Sequence, residues 1–183
     1  MKRQCVVALL AIVHVGYLSG CQTLRRQETP FQASLVTDSS EVAAYFRGNA
    51  YIATIGFTFT NTTGRAISRA GCGGPGWPEL EKQSSGRWVP AYYPVSLLCR
   101  TIPDFSWDAG ARFHDVLQFM AFERGHNTMP EIMVDSIDGV YRLRWSFAEG
   151  RDADAKGARR VDAISNAFRM TLHSGLPPAS NIR

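Results

Sequence analysis

Tyr51-Ile52-Ala53-Thr54-Ile55-Gly56-Phe57-Thr58-Phe59-Thr60-Asn61 is the stretch that decides the fold. Tyr51, Ala53, Ile55, Phe57 and Phe59 alternate with Ile52, Thr54, Gly56, Thr58 and Thr60. A period of two, rich in β-branched and aromatic residues, marks a strand with one buried face. Asn61-Thr62-Thr63-Gly64 then closes it as a turn. Residues 140–147 repeat the pattern, with Tyr141, Leu143, Trp145 and Phe147 on one face and Arg142, Arg144 and Ser146 on the other.

Working outward, residues 31–37 and 42–47 read as short strands separated by the turn-like Asp38-Ser39-Ser40. A weaker strand, 65–70, runs into Gly71-Cys72-Gly73-Gly74-Pro75-Gly76. Residues 80–83 and 87–92 flank Ser84-Ser85-Gly86 as a hairpin, and 93–100 return toward Cys99. Trp107-Asp108-Ala109-Gly110 reads as a turn. In residues 112–122, Phe113, Val116, Leu117, Phe119 and Met120 fit neither helical nor strand period cleanly, and we read a strand. A loop around the short apolar run 131–134 follows. The charged stretch 149–162 is expected to be a solvated hairpin loop ahead of a last strand at 167–172. No segment of the mature chain has the amphipathicity of a helix. Seven to nine short strands with regular turn signals predict an all-β, antiparallel sandwich.

The chain has 183 residues, enough for one domain and a leader. With 45% hydrophobic and 20% charged residues it is expected to fold rather than stay disordered. Its formal charge is +4, from 20 basic and 16 acidic residues. Lys2 and Arg3 belong to the leader, and without them the count is 18 against 16, about +2. So small and scattered a charge gives no support to nucleic-acid binding.

Met1-Lys2-Arg3 is a positive start, and residues 5–17 are an apolar run too short for the ~20 residues that span a bilayer. The run ends in Leu18-Ser19-Gly20-Cys21, which resembles the lipobox of bacterial lipoprotein precursors. The resemblance implies cleavage before Cys21, a thioether-linked diacylglycerol on its thiol, and stable anchoring through several acyl chains. Residues 1–20 are then a signal peptide, 21–30 a lipidated polar tether, 31–172 the folded domain and 173–183 a flexible tail. Gln22 stands where some lipoprotein families carry an inner-membrane retention aspartate, which tilts the expectation toward the outer membrane over the cell membrane. Either way the domain faces the periplasm or the exterior.

Cys5 leaves with the leader and Cys21 is acylated, so Cys72 and Cys99 remain. In an oxidising compartment the expectation is a disulfide, worth roughly 3–4 kcal/mol by loop entropy. Two buried free thiols, or a metal or redox role, are the alternatives. The glycine-rich run around Cys72 lacks the lysine of a phosphate-binding loop, and Pro75 and Pro78 spoil the helix such a loop needs.

Asp138-Gly139-Val140-Tyr141-Arg142-Leu143 resembles the entry to strand F of immunoglobulin-like and fibronectin type III domains. There a tyrosine, here Tyr141, bonds the backbone upstream through its hydroxyl, forming a tyrosine corner. The 51–61 strand carries no cysteine, so the antibody-type bridge between sheets is absent.

His114, His126 and His173 stand in no zinc-binding spacing, and no Gly-x-Ser-x-Gly is present. Asp135-Ser136-Ile137-Asp138-Gly139 lacks the alternating ligands and distal glutamate of a calcium loop. No metal or other cofactor is expected. Trp77, Trp88, Tyr92, Tyr93 and Trp107 are candidates for a binding face, although aromatics also fill the cores of small sandwiches. Trp77, between Gly76 and Pro78, is the one most expected to be exposed. The leading expectation is a non-enzymatic interaction module bound to the membrane through Cys21 and contacting an envelope protein or glycan. The alternatives are an envelope hydrolase, with a site in loops 73–77, 104–108 and 125–127 joining His126 or His114 to a carboxylate such as Asp108, or an inhibitor of envelope proteases.

Overall fold

Ala53, Ile55, Phe57 and Phe59 turn inward from β3 (Ala50–Thr60) and are at most 2% exposed. Tyr141, Leu143, Trp145 and Phe147 do the same from β9 (Gly139–Glu149). The two rows meet ring to ring. Phe57 stands edge-on to Trp145 at 6.1 Å, and Phe59 packs on Phe147 at 5.1 Å. Two half-apolar strands facing each other in this way bury both apolar faces at once, which is the principal drive for the fold.

The computed structural model describes residues 33–69, 77–92, 105–126, 128–153 and 156–174. Besides β3 and β9 these form β1 (Ser34–Thr37), β2 (Glu41–Arg47), β4 (Ile67–Arg69), β5 (Glu79–Ser84), β6 (Arg87–Pro90), β7 (Phe105–Trp107), β8 (Arg112–Phe122), β10 (Arg160–Ile164) and β11 (Phe168–His173). The protein is all-β, with no helix among the described residues.

β3 takes β8 along one edge and, along the other, β1 at its end and β2 at its start. β9 likewise pairs with β10 and β11 on one side and with β4 and β5 on the other. β6 and β7 extend β5 and β4. The two groups are joined where β1 runs parallel to β10 and β2 parallel to β11.

The expected antiparallel sandwich of seven to nine strands is therefore corrected on two counts. The sheet has eleven strands and is mixed, because the first and last segments run the same way and lie side by side. Both segments are also broken in two, at residues 38–40 and 165–167. Side chains supply the bonds lost there: Asn166 Oδ1 accepts from Thr37 N at 2.9 Å, and Ser165 Oγ accepts from Leu143 N at 2.8 Å. The charged stretch is shorter as a loop than expected, since β10 already begins at Arg160.

In β8 the inward phase carries Phe113, Asp115, Leu117, Phe119 and Ala121, with Val116 and Met120 on the outer phase. An acid on the inward phase and apolar residues outside explain why no clean period was visible. Asp115 Oδ1 accepts the backbone N–H of Val116 at 2.7 Å. Apart from one bridge from Phe122 to Glu131, β8 pairs only with β3 among the described residues.

Candidate functional site

The connection from β8 to β9, residues 123–138, is too long for a tight turn and folds over one end of the sheet. Ile132 N–H donates to Phe122 O at 2.8 Å and Met133 N–H to Ala91 O at 2.9 Å. These bonds stitch it between the end of β8 and the segment after β6. Tyr51 N-terminal in β3 faces it from below. Between them lies an open cleft of about 410 Å³ lined by Tyr51, Glu123, Arg124, Ile132, Val134, Asp135, Ser136 and Ile137.

Ile132, Val134 and Ile137 set a small apolar patch in a lining that is otherwise mostly polar, with Glu123, Arg124 and Asp135 charged. Arg124 is fixed across the rim, donating to Met133 O at 2.6 Å and reaching Asp135 at 3.3 Å. Burial, and then the charge of Glu123, raises the Tyr51 hydroxyl above its ordinary pKa, so it stays a neutral donor. Phe46, 42% exposed, packs against the Tyr51 ring at 5.0 Å and extends the apolar wall outward. Lys82 of β5 donates to the Ser136 carbonyl and so braces the loop from the far side. A concave, mostly polar lining around a small apolar patch is suited to holding a polar side chain or a sugar ring. Among the described residues the lining has no histidine or cysteine.

The candidate aromatics are not brought together. Trp107 joins the core, packing on Phe59, Phe113, Trp145 and Phe147 at 5.4–6.1 Å. Tyr92 stands edge-on to Phe119 at 5.4 Å, and burial holds its hydroxyl protonated above the ordinary range. Trp88 lies under the Arg142 guanidinium at 4.4 Å. Trp77 is 49% exposed. Tyr93, Cys21, Cys72 and Cys99 lie outside the described residues.

Of the loops expected to carry a hydrolase site, residues 73–76, 104 and 127 lie outside the described residues, and within the rest Asp108 and His126 are not brought together. Asp108 pairs with Arg151 at 2.6 Å, in the turn that leads into β8. His126 follows β8, bonded to Asn49 at 3.0 Å and stacked on Phe122. An eleven-residue strand separates them, about 35 Å at 3.3 Å per residue. His114 does meet a carboxylate, Asp38 at 2.7 Å, but on an open sheet face with both side chains about half exposed. Among the described residues no group of three or more His, Cys, Asp or Glu is placed to hold a metal ion.

The cleft residues were missed because Tyr51 reads as core and residues 125–138 read as loop. The short apolar run at Ile132 and Val134 was the available signal. No protein-family model, curated protein or solved structure matches the chain.

Proposed function

We propose that the chain is an extracytoplasmic lipoprotein, anchored through Cys21, whose domain is an immunoglobulin-like interaction module without enzymatic activity. It contacts an envelope protein or glycan through the cleft between Tyr51 and the loop after β8. The observation that carries the reading is Leu18-Ser19-Gly20-Cys21 behind a positive start and an apolar run. The immunoglobulin-like assignment is supported by Tyr141, whose buried hydroxyl donates to the Ile137 carbonyl at 2.7 Å. It is supported too by β1 and β2, which pair with both β3 and the last strands. In this reading Cys72 and Cys99 form a disulfide in the oxidising compartment.

Mass spectrometry of native material is expected to show an acylated amino-terminal Cys21 and two fewer thiol protons than the reduced chain. Affinity capture from envelope extracts and a glycan array then compare the wild type with Val134→Asp, which puts a charge on the cleft floor. Loss of capture in the variant supports the cleft as the contact. An intact leader overturns the anchoring, and equal capture by both proteins overturns the cleft.

A further inference from the structure

The sheet has two chemically different ends. At one, β1 starts beside Thr60 of β3, which in turn pairs with Arg112 at the start of β8. The connections 61–66, 108–111 and 150–159 gather at this same end. Gly150 N–H donates to Ala66 O at 2.8 Å, Gly110 N–H to Asn61 O at 2.9 Å, and Arg151 pairs with Asp108. The chain therefore enters the domain at the end where these three loops meet. The cleft, beside residues 123–138 and the β2–β3 turn, is at the other.

Six cations stand at the entry end, Arg65, Arg112, Arg151, Lys156, Arg159 and Arg160, against Asp108, Glu149 and Asp152 among the described residues. Asp154, in the same connection by sequence, makes it six against four. Arg65 neutralises Glu149 and Arg151 neutralises Asp108. Arg112, Lys156 and Arg160 are exposed, and no ion pair is formed by them among the described residues. The opposite end balances, with Arg47, Lys82, Arg87 and Arg124 against Glu123, Glu131, Asp135 and Asp138.

We propose that this entry end is a membrane-docking face, seating Arg112, Lys156 and Arg160 on anionic phospholipid headgroups and turning the cleft away from the bilayer. The proposal rests on the anchored reading above. Eleven residues, 22–32, separate Cys21 from Ala33. A chain of that length reaches at most about 40 Å even when fully extended, which keeps the basic end at high local concentration over the surface. Attraction then acts within a Debye length of about 8 Å, and each exposed cation adds to it. A neutral surface offers no such gain, and nothing in the balanced end competes for the lipid.

Lys82 and Lys156 are the two lysines of the mature chain, one toward each end, so amine acylation reads the orientation directly. The native lipidated protein is reconstituted in phosphatidylcholine vesicles with and without phosphatidylglycerol and treated with a soluble acylating reagent. Lys156, measured relative to Lys82, is expected to be protected on the order of tenfold on anionic vesicles only. High salt should remove the protection, as should the double substitution Arg112→Glu and Arg160→Glu. Unchanged Lys82 reactivity in that variant reports an intact fold, since its ammonium is held at the Ser136 carbonyl. Equal Lys156 reactivity on both vesicles, protection that ignores salt, or protection by a soluble acidic polymer and not by anionic vesicles overturns the proposal. Mass analysis of the same sample separates the two readings: an unacylated Cys21 overturns the anchoring, whereas an acylated chain with unprotected Lys156 overturns the docking face alone.

Discussion

Tyr141 is the side chain on which most of one end depends. Its ring lies in the core, stacked at 6.2 Å on Phe168, while its hydroxyl satisfies a backbone carbonyl ahead of the strand. Tyr141→Phe keeps the ring and leaves that carbonyl without its partner, an expected loss of ~1–3 kcal/mol in denaturant unfolding. Burial first, and then the charge of Asp138, raises the Tyr141 hydroxyl far above its ordinary value, and burial raises Tyr92 too. The unfolded chain thus sheds these protons first, near pH ~10, while the folded chain keeps them. Their stabilisation is complete below that pH and is lost as the pH climbs toward the folded values. Melting followed against pH in the alkaline range should fall less steeply for Tyr141→Phe than for the wild type.

Gly56 shows a different residue-level constraint. A Cβ there would lie 2.0 Å from Asp38 Oδ2, because the carboxylate crosses β3 at this glycine to reach His114. Glycine inside a strand weakens it unless something approaches this closely. Gly56→Ala is expected to cost ~1 kcal/mol, because Asp38 must swing away and give up an exposed pair. In an Asp38→Ala background the same change should stabilise by ~0.5 kcal/mol through reduced chain entropy. Equal effects in both backgrounds would show that the carboxylate does not impose the glycine.

Among the elements, β3 and β9 were legible because each has one wet and one dry face. β8 was not, and its irregularity has a use. Among the described residues its second edge carries only the bridge to Glu131; such an open edge is a template for pairing with another chain, and an inward-facing acid that caps its own strand blunts it. Asp115→Val should restore the period and release the Val116 N–H. Light scattering of the variant is expected to show association at concentrations where the wild type stays monodisperse. On the outer face of β9, Glu81 is nearly buried between Arg142 at 2.6 Å and Arg144 at 3.6 Å. Asp162 then holds Arg144 at 2.6 Å. Glu81→Ala strands Arg142 over Trp88 and should cost ~2–3 kcal/mol in unfolding experiments, well above the usual surface pair.

At the scale of the whole molecule, hydrogen bonding closes a circuit from β3 through β2, β11, β9, β10 and β1 back to β3. Closure makes the first and last segments the common support of both faces. The parallel β2–β11 seam runs for five residue pairs and forms only once residues 169–173 are present. Its contacts, like those of the parallel β1–β10 pair, join the two ends of the domain, so a truncation before Phe168 should fail to fold cooperatively in thermal melts rather than lose only a frayed end.

The alternating runs at Tyr51 and Tyr141, the turn at Asp38-Ser39-Ser40 and the all-β class follow from the sequence alone, because side-chain alternation is a local consequence of strand geometry. The resemblance of Leu18-Ser19-Gly20-Cys21 to a lipobox is equally local, a string read by its own residue types. Parallel seams, strand breaks bridged by Asn166 and Ser165, the separation of His126 from Asp108 and the cleft beside Tyr51 belong to the tertiary structure. Each depends on which distant segments become neighbours, and that is settled by the joint burial of two apolar faces, a quantity no single stretch of chain contains.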